Sequence, residues 1–197
     1  VFQGWQGNPE IELLSGIPKE DVLILSLSAD TNYKSEDFFG GYPWIYCTTP
    51  NFGGVRKMYG NIQGMLFEPI EQVKGCLKTA PIGIGMTMEA IEVDEVLYDA
   101  FASVSFAEEK PELESFLRQF TWCRYGIKSE NCIEAYKLLC ENIYNLSGTN
   151  LFGTKESALC TRPSLYVKNV STWGNEEEIP YDNDILIKVA ELLIKNY

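Results

Sequence analysis

Three short apolar runs, each closing on a polar residue, set the strongest limit on how this chain folds. They are DVLILSLSAD at 21–30, YPWIYCTTPN at 42–51 and PIGIGMTME at 81–89. Strands buried on both faces read as continuous apolar runs of this kind, as parallel strands do under a cover of helices. Helical periodicity follows the second run in VRKMYGNIQGMLFEPIEQV and the third in DEVLYDAFASVSF. Asp94 and Glu95 stand where a first helical turn favours acids. The opening VFQGWQ reads as the tail of a fourth strand. The pattern is α/β with a parallel sheet.

The strand count then limits the architecture. A closed parallel barrel takes eight strands and about 250 residues. A chain of 197 residues with three clear strands and one tail does not close one. It is either a small open sheet or the back half of a larger one, and the start in mid-pattern at Val1 favours the second. From Pro111 the texture becomes helical. PELESFLRQFTWCRYG places Leu113, Phe116, Leu117 and Phe120 at helical spacing, with Gly126 as a stop. SENCIEAYKLLCENIYNL repeats the pattern with Ile133, Tyr136, Leu139, Cys140 and Ile143, and DNDILIKVAELLIKNY repeats it at the end. The stretch from Ser147 to Pro180 reads as loop. The expected organisation is one unit over 1–109 and a helical one over 110–197, with no internal repeat.

Composition excludes several kinds of chemistry. There is no histidine, so Ser-His-Asp and Cys-His nucleophiles and H-E-x-x-H zinc sites are absent from this chain. The net charge of −12 makes nucleic acid a poor partner, because that binding needs clustered Lys and Arg. No apolar run approaches the roughly 20 residues of a membrane helix. The cysteines are Cys47, Cys76, Cys123, Cys132, Cys140 and Cys160, none spaced C-x-x-C. That spacing argues against a zinc ribbon or thioredoxin-type site. Most read as small core residues, and Cys132 and Cys140 fall on one face of a helix, about two turns apart.

Functional groups in parallel sheets gather at the C-terminal ends of strands. Three such ends present polar groups: Asp30, Asn51 and Glu89. Asp and Asn commonly do no more than punctuate loops. Glu89 stands out because it follows Met86 and Met88 and precedes Ile91, and glutamate seldom enters apolar company unless paired or working. A plain surface-loop role is the competing reading. Glu92 and Glu95 read as a solvated helix start. Gly83 and Gly85 lack full G-x-G-x-x-G spacing, and NFGGVRK lacks the G-K-[ST] ending of a phosphate loop. Of the aromatics near strand ends, Trp5, Trp44, Tyr46 and Phe52, core packing accounts for most and sugar stacking for one or two.

The stretches PWIYCTTPNFGGVRKMYG and GIGMTMEAIEVDEVLY resemble two signature regions of the alpha-N-acetylglucosaminidases, the retaining enzymes of glycoside hydrolase family 89. VFQGWQ, CRYG, IYNLSG and TRPSL resemble further landmarks of that family in the same order, so the resemblance covers nearly the whole chain. It implies the C-terminal part of a (β/α)8 TIM barrel followed by the start of an all-α domain. It implies Glu89 as the catalytic nucleophile, Asn51 and Trp5 as residues lining the sugar pocket, and no metal or organic cofactor. The implied partner is a glycan ending in alpha-linked N-acetylglucosamine, heparan sulfate-type or another glycoconjugate. The acid/base glutamate would lie upstream of Val1, and neither Asp30 nor any other acid here matches it. A lysosomal or secreted or periplasmic location follows from the resemblance alone, as does any use of the sequons at Asn145 and Asn169. The chain departs from the family pattern at Pro50, Tyr46 and Ala90, where His, Trp and Gly are usual, which bears on the shape of the pocket more than on the reaction class. The rival reading is a non-catalytic carbohydrate-binding or interaction module, in which Glu89 only accepts hydrogen bonds from sugar hydroxyls. Nothing in the sequence marks an oligomeric state.

Overall fold

The computed structural model describes residues 1–4, 11–27, 29, 38–48, 58, 60–75, 80–89, 94–145, 159 and 181–196. Four strands form one sheet: β1 (Phe2–Gly4), β2 (Ile24–Ser26), β3 (Trp44–Thr48) and β4 (Gly83–Met86). They lie side by side in the order of the sequence. All three pairings are parallel. Parallel neighbours need crossovers of a dozen or more residues. The long crossover to β4 carries α2 (Ile62–Gly75), and a short α1 (Ile11–Leu14) lies between β1 and β2. Helix α3 (Glu95–Val104) follows β4, and α4 (Leu113–Tyr125), α5 (Glu130–Asn142) and α6 (Asp184–Ile194) complete the helical segment. Helix α2 begins later than the apolar pattern suggests. Met58, Gly60 and Asn61 stand before it, and the Ile62 N–H donates outside the helix, to the Tyr144 carbonyl at 2.8 Å.

Strand side chains alternate between faces. Trp44 and Tyr46 share a face with their register partners Ile24, Ser26 and Ile84. The two aromatic side chains are fully buried, with Phe101 of α3 packed on Tyr46 at a ring separation of 5.9 Å and Phe39 on Trp44 at 5.2 Å. Helix α3 buries Val96, Leu97, Ala100, Phe101 and Val104, a set at helical spacing, and meets Tyr46 of the sheet through Phe101. Gly60 lets the chain pass close to α3: a Cβ there would stand 2.4 Å from Leu97 Cδ1. One apolar cluster runs from these residues through Leu117, Phe120, Ile133 and Leu139 to Val189, joining sheet and helices.

The opposite face of the sheet carries Gln3, Leu25, Ile45, Cys47, Gly83 and Gly85. Leu25, Ile45, Gly83 and Gly85 are only half-buried, because the described helices pack on the other face. Cys47 is the exception, buried beneath a β4 so close that a Cβ on Gly85 would come within 2.8 Å of its Sγ.

The helix ends follow local chemistry. Gly126 adopts φ 68° and closes α4 with an N–H bond to the Trp122 carbonyl at 2.8 Å, the left-handed cap that glycine takes at least cost. Ser129 caps α5 by accepting the Cys132 N–H at 3.3 Å. Cys132 and Cys140 share the buried face of α5, as their spacing predicts. Cys123 is exposed.

Two measurements test this packing. Phe101→Ala removes a fully buried ring and is expected to lower unfolding free energy by about 3–5 kcal/mol, read from denaturant unfolding of the chain. Burial pushes the Cys47 thiol up to about 11, so little thiolate forms at neutral pH. Peptide mapping after brief iodoacetamide treatment should find Cys123 alkylated well before Cys47, and denaturant should erase the difference.

Candidate active site

Because all four strands are parallel, their C-terminal ends lie along one edge, at Gly4, Ser26, Thr48 and Met86. The segment that leaves β4 is tied down at once. Thr87 donates both its N–H, at 3.1 Å, and its hydroxyl, at 2.7 Å, to the carbonyl of Thr48, the last residue of β3. Two residues further on stands Glu89, so its position relative to the sheet edge is set by an anchor on the neighbouring strand. The side chain is exposed, as is Met88, and Met86 lies at the margin of exposure. Two of the apolar neighbours read around Glu89 are therefore themselves open to solvent.

At its far end the segment is anchored again. The Asp94 carbonyl accepts the Leu97 and Tyr98 N–H groups at 3.0 and 3.4 Å, opening α3. Its carboxylate does not cap that helix but accepts the Tyr144 hydroxyl at 3.1 Å. Tyr98, one turn into α3, is buried. Burial, then the charges of Asp94 and Glu89, hold its phenol well above the usual tyrosine range.

Of the residues singled out from sequence, Glu89 sits three positions beyond the end of a parallel strand. Trp5, Asp30 and Asn51 lie outside the described residues. Trp44 and Tyr46 belong to the core rather than to an open sugar platform. Sequence reading missed Thr87, Tyr98 and Tyr144. Thr87 is inside a quoted motif, but its tie to Thr48 spans 39 positions. Tyr144 meets Asp94 over 50 positions, and no local pattern signals such a meeting. Asp94 drew notice only as a first-turn acid. Among the described residues no three His, Cys, Asp or Glu side chains cluster as a metal site, and no helix is long and apolar enough to cross a membrane.

Comparison with known proteins agrees with this geometry. Residues 1–108 match the "Alpha-N-acetylglucosaminidase (NAGLU) tim-barrel domain" and residues 116–197 the "Alpha-N-acetylglucosaminidase (NAGLU) C-terminal domain". Human alpha-N-acetylglucosaminidase is 30% identical over 191 residues, an alignment covering 91% of this chain and 25% of the human protein. The family 89 glycoside hydrolase of Clostridium perfringens, solved with PUGNAc, superposes with a TM-score of 0.78 at 26% identity, covering 99% of this chain and 22% of that one. The same bacterial hydrolase, as a variant with two glutamates replaced by glutamine and in complex with its substrate GlcNAc-alpha-1,4-galactose, superposes with a TM-score of 0.80 at 25% identity over the same shares. The chain therefore spans about a quarter of the length of the relatives it matches. With family matches over both its sheet and its helices, a parallel sheet from a TIM-barrel domain and a helical C-terminal segment, this chain belongs to the alpha-N-acetylglucosaminidase family, glycoside hydrolase family 89.

Proposed function

We propose that this chain forms part of a retaining exo-glycosidase that removes terminal alpha-linked N-acetylglucosamine, with Glu89 as its nucleophile. The observation that carries the reading is a carboxylate just past the C-terminal end of a parallel strand, anchored through Thr87 to the end of the next strand. TIM-barrel enzymes place their chemistry on that edge. Family membership supplies the reaction class. In this reading the Glu89 carboxylate attacks the anomeric carbon and forms a covalent glycosyl-enzyme. A second carboxyl group about 5–5.5 Å away protonates the departing oxygen, then takes a proton from the water that releases the sugar. That second group comes from a part of the protein other than this chain, since no acid here matches it. The bacterial relative whose substrate complex carries two glutamate-to-glutamine changes supports a two-glutamate chemistry. Asn51 and Trp5 line the sugar pocket, and the unit boundary falls at 109–110. The −12 charge suits recognition of one chain-end sugar better than a grip along a polyanion.

Two experiments test the reading. In the full-length protein that carries this chain, Glu89→Gln keeps size and much of the hydrogen bonding but is a poor nucleophile. Turnover of an aryl alpha-N-acetylglucosaminide is expected to fall by several powers of ten, each worth about 1.4 kcal/mol of barrel-site stabilisation of the transition state. Added azide should restore rate and yield the inverted glycosyl azide. A near-normal rate in the Gln variant removes Glu89 from the mechanism. The chain by itself is expected to be inactive on the same substrate, and turnover above a Glu89→Ala control would show that a complete site exists within it.

A further inference from the structure

The tie between the ends of β3 and β4 has two parts of different origin. The Thr87 N–H bond to the Thr48 carbonyl, 3.1 Å, carries the pairing of the two strands one residue beyond Met86. Any residue at 87 except proline would supply it. The hydroxyl bond to the same oxygen, 2.7 Å, is the shorter of the two and belongs to the side chain. Valine has nearly the same shape as threonine but no hydroxyl to give. A carbonyl oxygen carries two lone pairs, so the one acceptor takes both donors.

Two donors of one residue on one oxygen constrain more than a distance. The N–H bond alone lets Thr87 swing about the line from its nitrogen to the carbonyl oxygen. The hydroxyl sits on a β-branched carbon with a stiff χ1, adds a second point of attachment and stops that swing. The flanking side chains do little of this work: Met88 is exposed and Met86 lies at the margin of exposure, while Thr87 is half-buried. Glu89 follows directly, with its Cα within about 7 Å of the Thr87 Cα, the reach of two residues. No helix or strand intervenes between them. A rotation at Thr87 therefore passes to Glu89 through two peptide units alone.

On the reading of Glu89 as nucleophile, we infer that Thr87 is a positioning residue for Glu89: its hydroxyl, bonded across to the Thr48 carbonyl, fixes the rotation of the chain as it leaves β4 and so aims the carboxylate. The backbone bond keeps the strands paired whichever residue stands at 87, and the hydroxyl sets how well the reacting group is aligned. Misplacing a reacting group by about 1 Å can cost on the order of a hundredfold in rate.

The test uses the full-length protein that carries this chain. Thr87→Val keeps the shape, the branching and the N–H but loses the hydroxyl. It is expected to lower kcat on an aryl alpha-N-acetylglucosaminide by about ten- to a hundredfold with KM little changed. Thr87→Ser, which keeps the donor, should retain most of the rate. Ser103→Ala removes a hydroxyl-to-carbonyl bond of the same length, 2.7 Å, within α3, and should leave kcat near normal. The deciding arm starts from Glu89→Ala rescued by azide. With no carboxylate left to aim, adding Thr87→Val should leave the azide-supported rate unchanged. A fall in that rate would mean that Thr87 shapes the pocket generally and would overturn the inference. A Thr87→Val enzyme with normal kcat, whatever its Tm, would overturn it too, as would a Thr87→Ser enzyme as slow as the valine variant. If Thr87→Val does not fold, Thr87→Ala and Thr87→Ser decide: a gap in kcat between them supports the inference and equal values overturn it. Absence of azide rescue in Glu89→Ala alone fails the nucleophile reading and the inference with it, an outcome distinct from all the others.

Discussion

Burial of Trp44 and Tyr46 beneath the covering helices is the interaction on which the rest of the structure depends. Both rings are fully buried, and each aromatic side chain of that size removes roughly 150–250 Å² from water. They sit on one face of β3, one of the two described strands with a parallel neighbour on each side. Phe101 of α3 closes on Tyr46, and Phe39 closes on Trp44. This contact orients the sheet edge: with the helix side of β3 fixed, Thr48 ends the strand where its carbonyl receives both bonds from Thr87. The segment bearing Glu89 therefore inherits its starting point from a packing contact within the core.

The same arrangement explains why the other face of the sheet is only half-covered. Gly85 brings β4 close above Cys47, and Leu25 and Ile45 flank it without a layer of described helices on top. In a closed barrel such inward-facing residues fill the interior in layers. The helical segment does something different. It shares one apolar cluster with the sheet, and Tyr144 bonds to the backbone N–H of the first residue of α2 and to a carboxylate before α3. Its role is thus to hold helix starts as well as to cover apolar surface.

Legibility in the sequence followed the range of the interaction. Parallel strands, helical periodicity, the Gly126 stop and the buried pair Cys132 and Cys140 all depend on side-chain alternation, helical spacing or single-residue dihedral preference. These are properties of neighbouring residues, and the chain states them directly. The start of α2 was less legible, because the apolar pattern continues through Met58, Gly60 and Asn61, which the structure holds outside the helix. There a tertiary bond, from Ile62 N–H to Tyr144, takes the place of a local signal.

For the site the division is sharper. The order of residues alone determined that any chemistry here falls to carboxylates, hydroxyls, thiols, amines or amides, because histidine is absent, and that Glu89 closes a strand-like run. Only the tertiary structure decided which distant groups meet on either side of Glu89: Thr48 with Thr87, and Tyr144 with Asp94, at separations of 39 and 50 residues. Each of these bonds needs two distant groups within about 3 Å. A sequence specifies such a meeting only by way of the whole packed fold, since no local periodicity encodes which hydroxyl will arrive beside which oxygen.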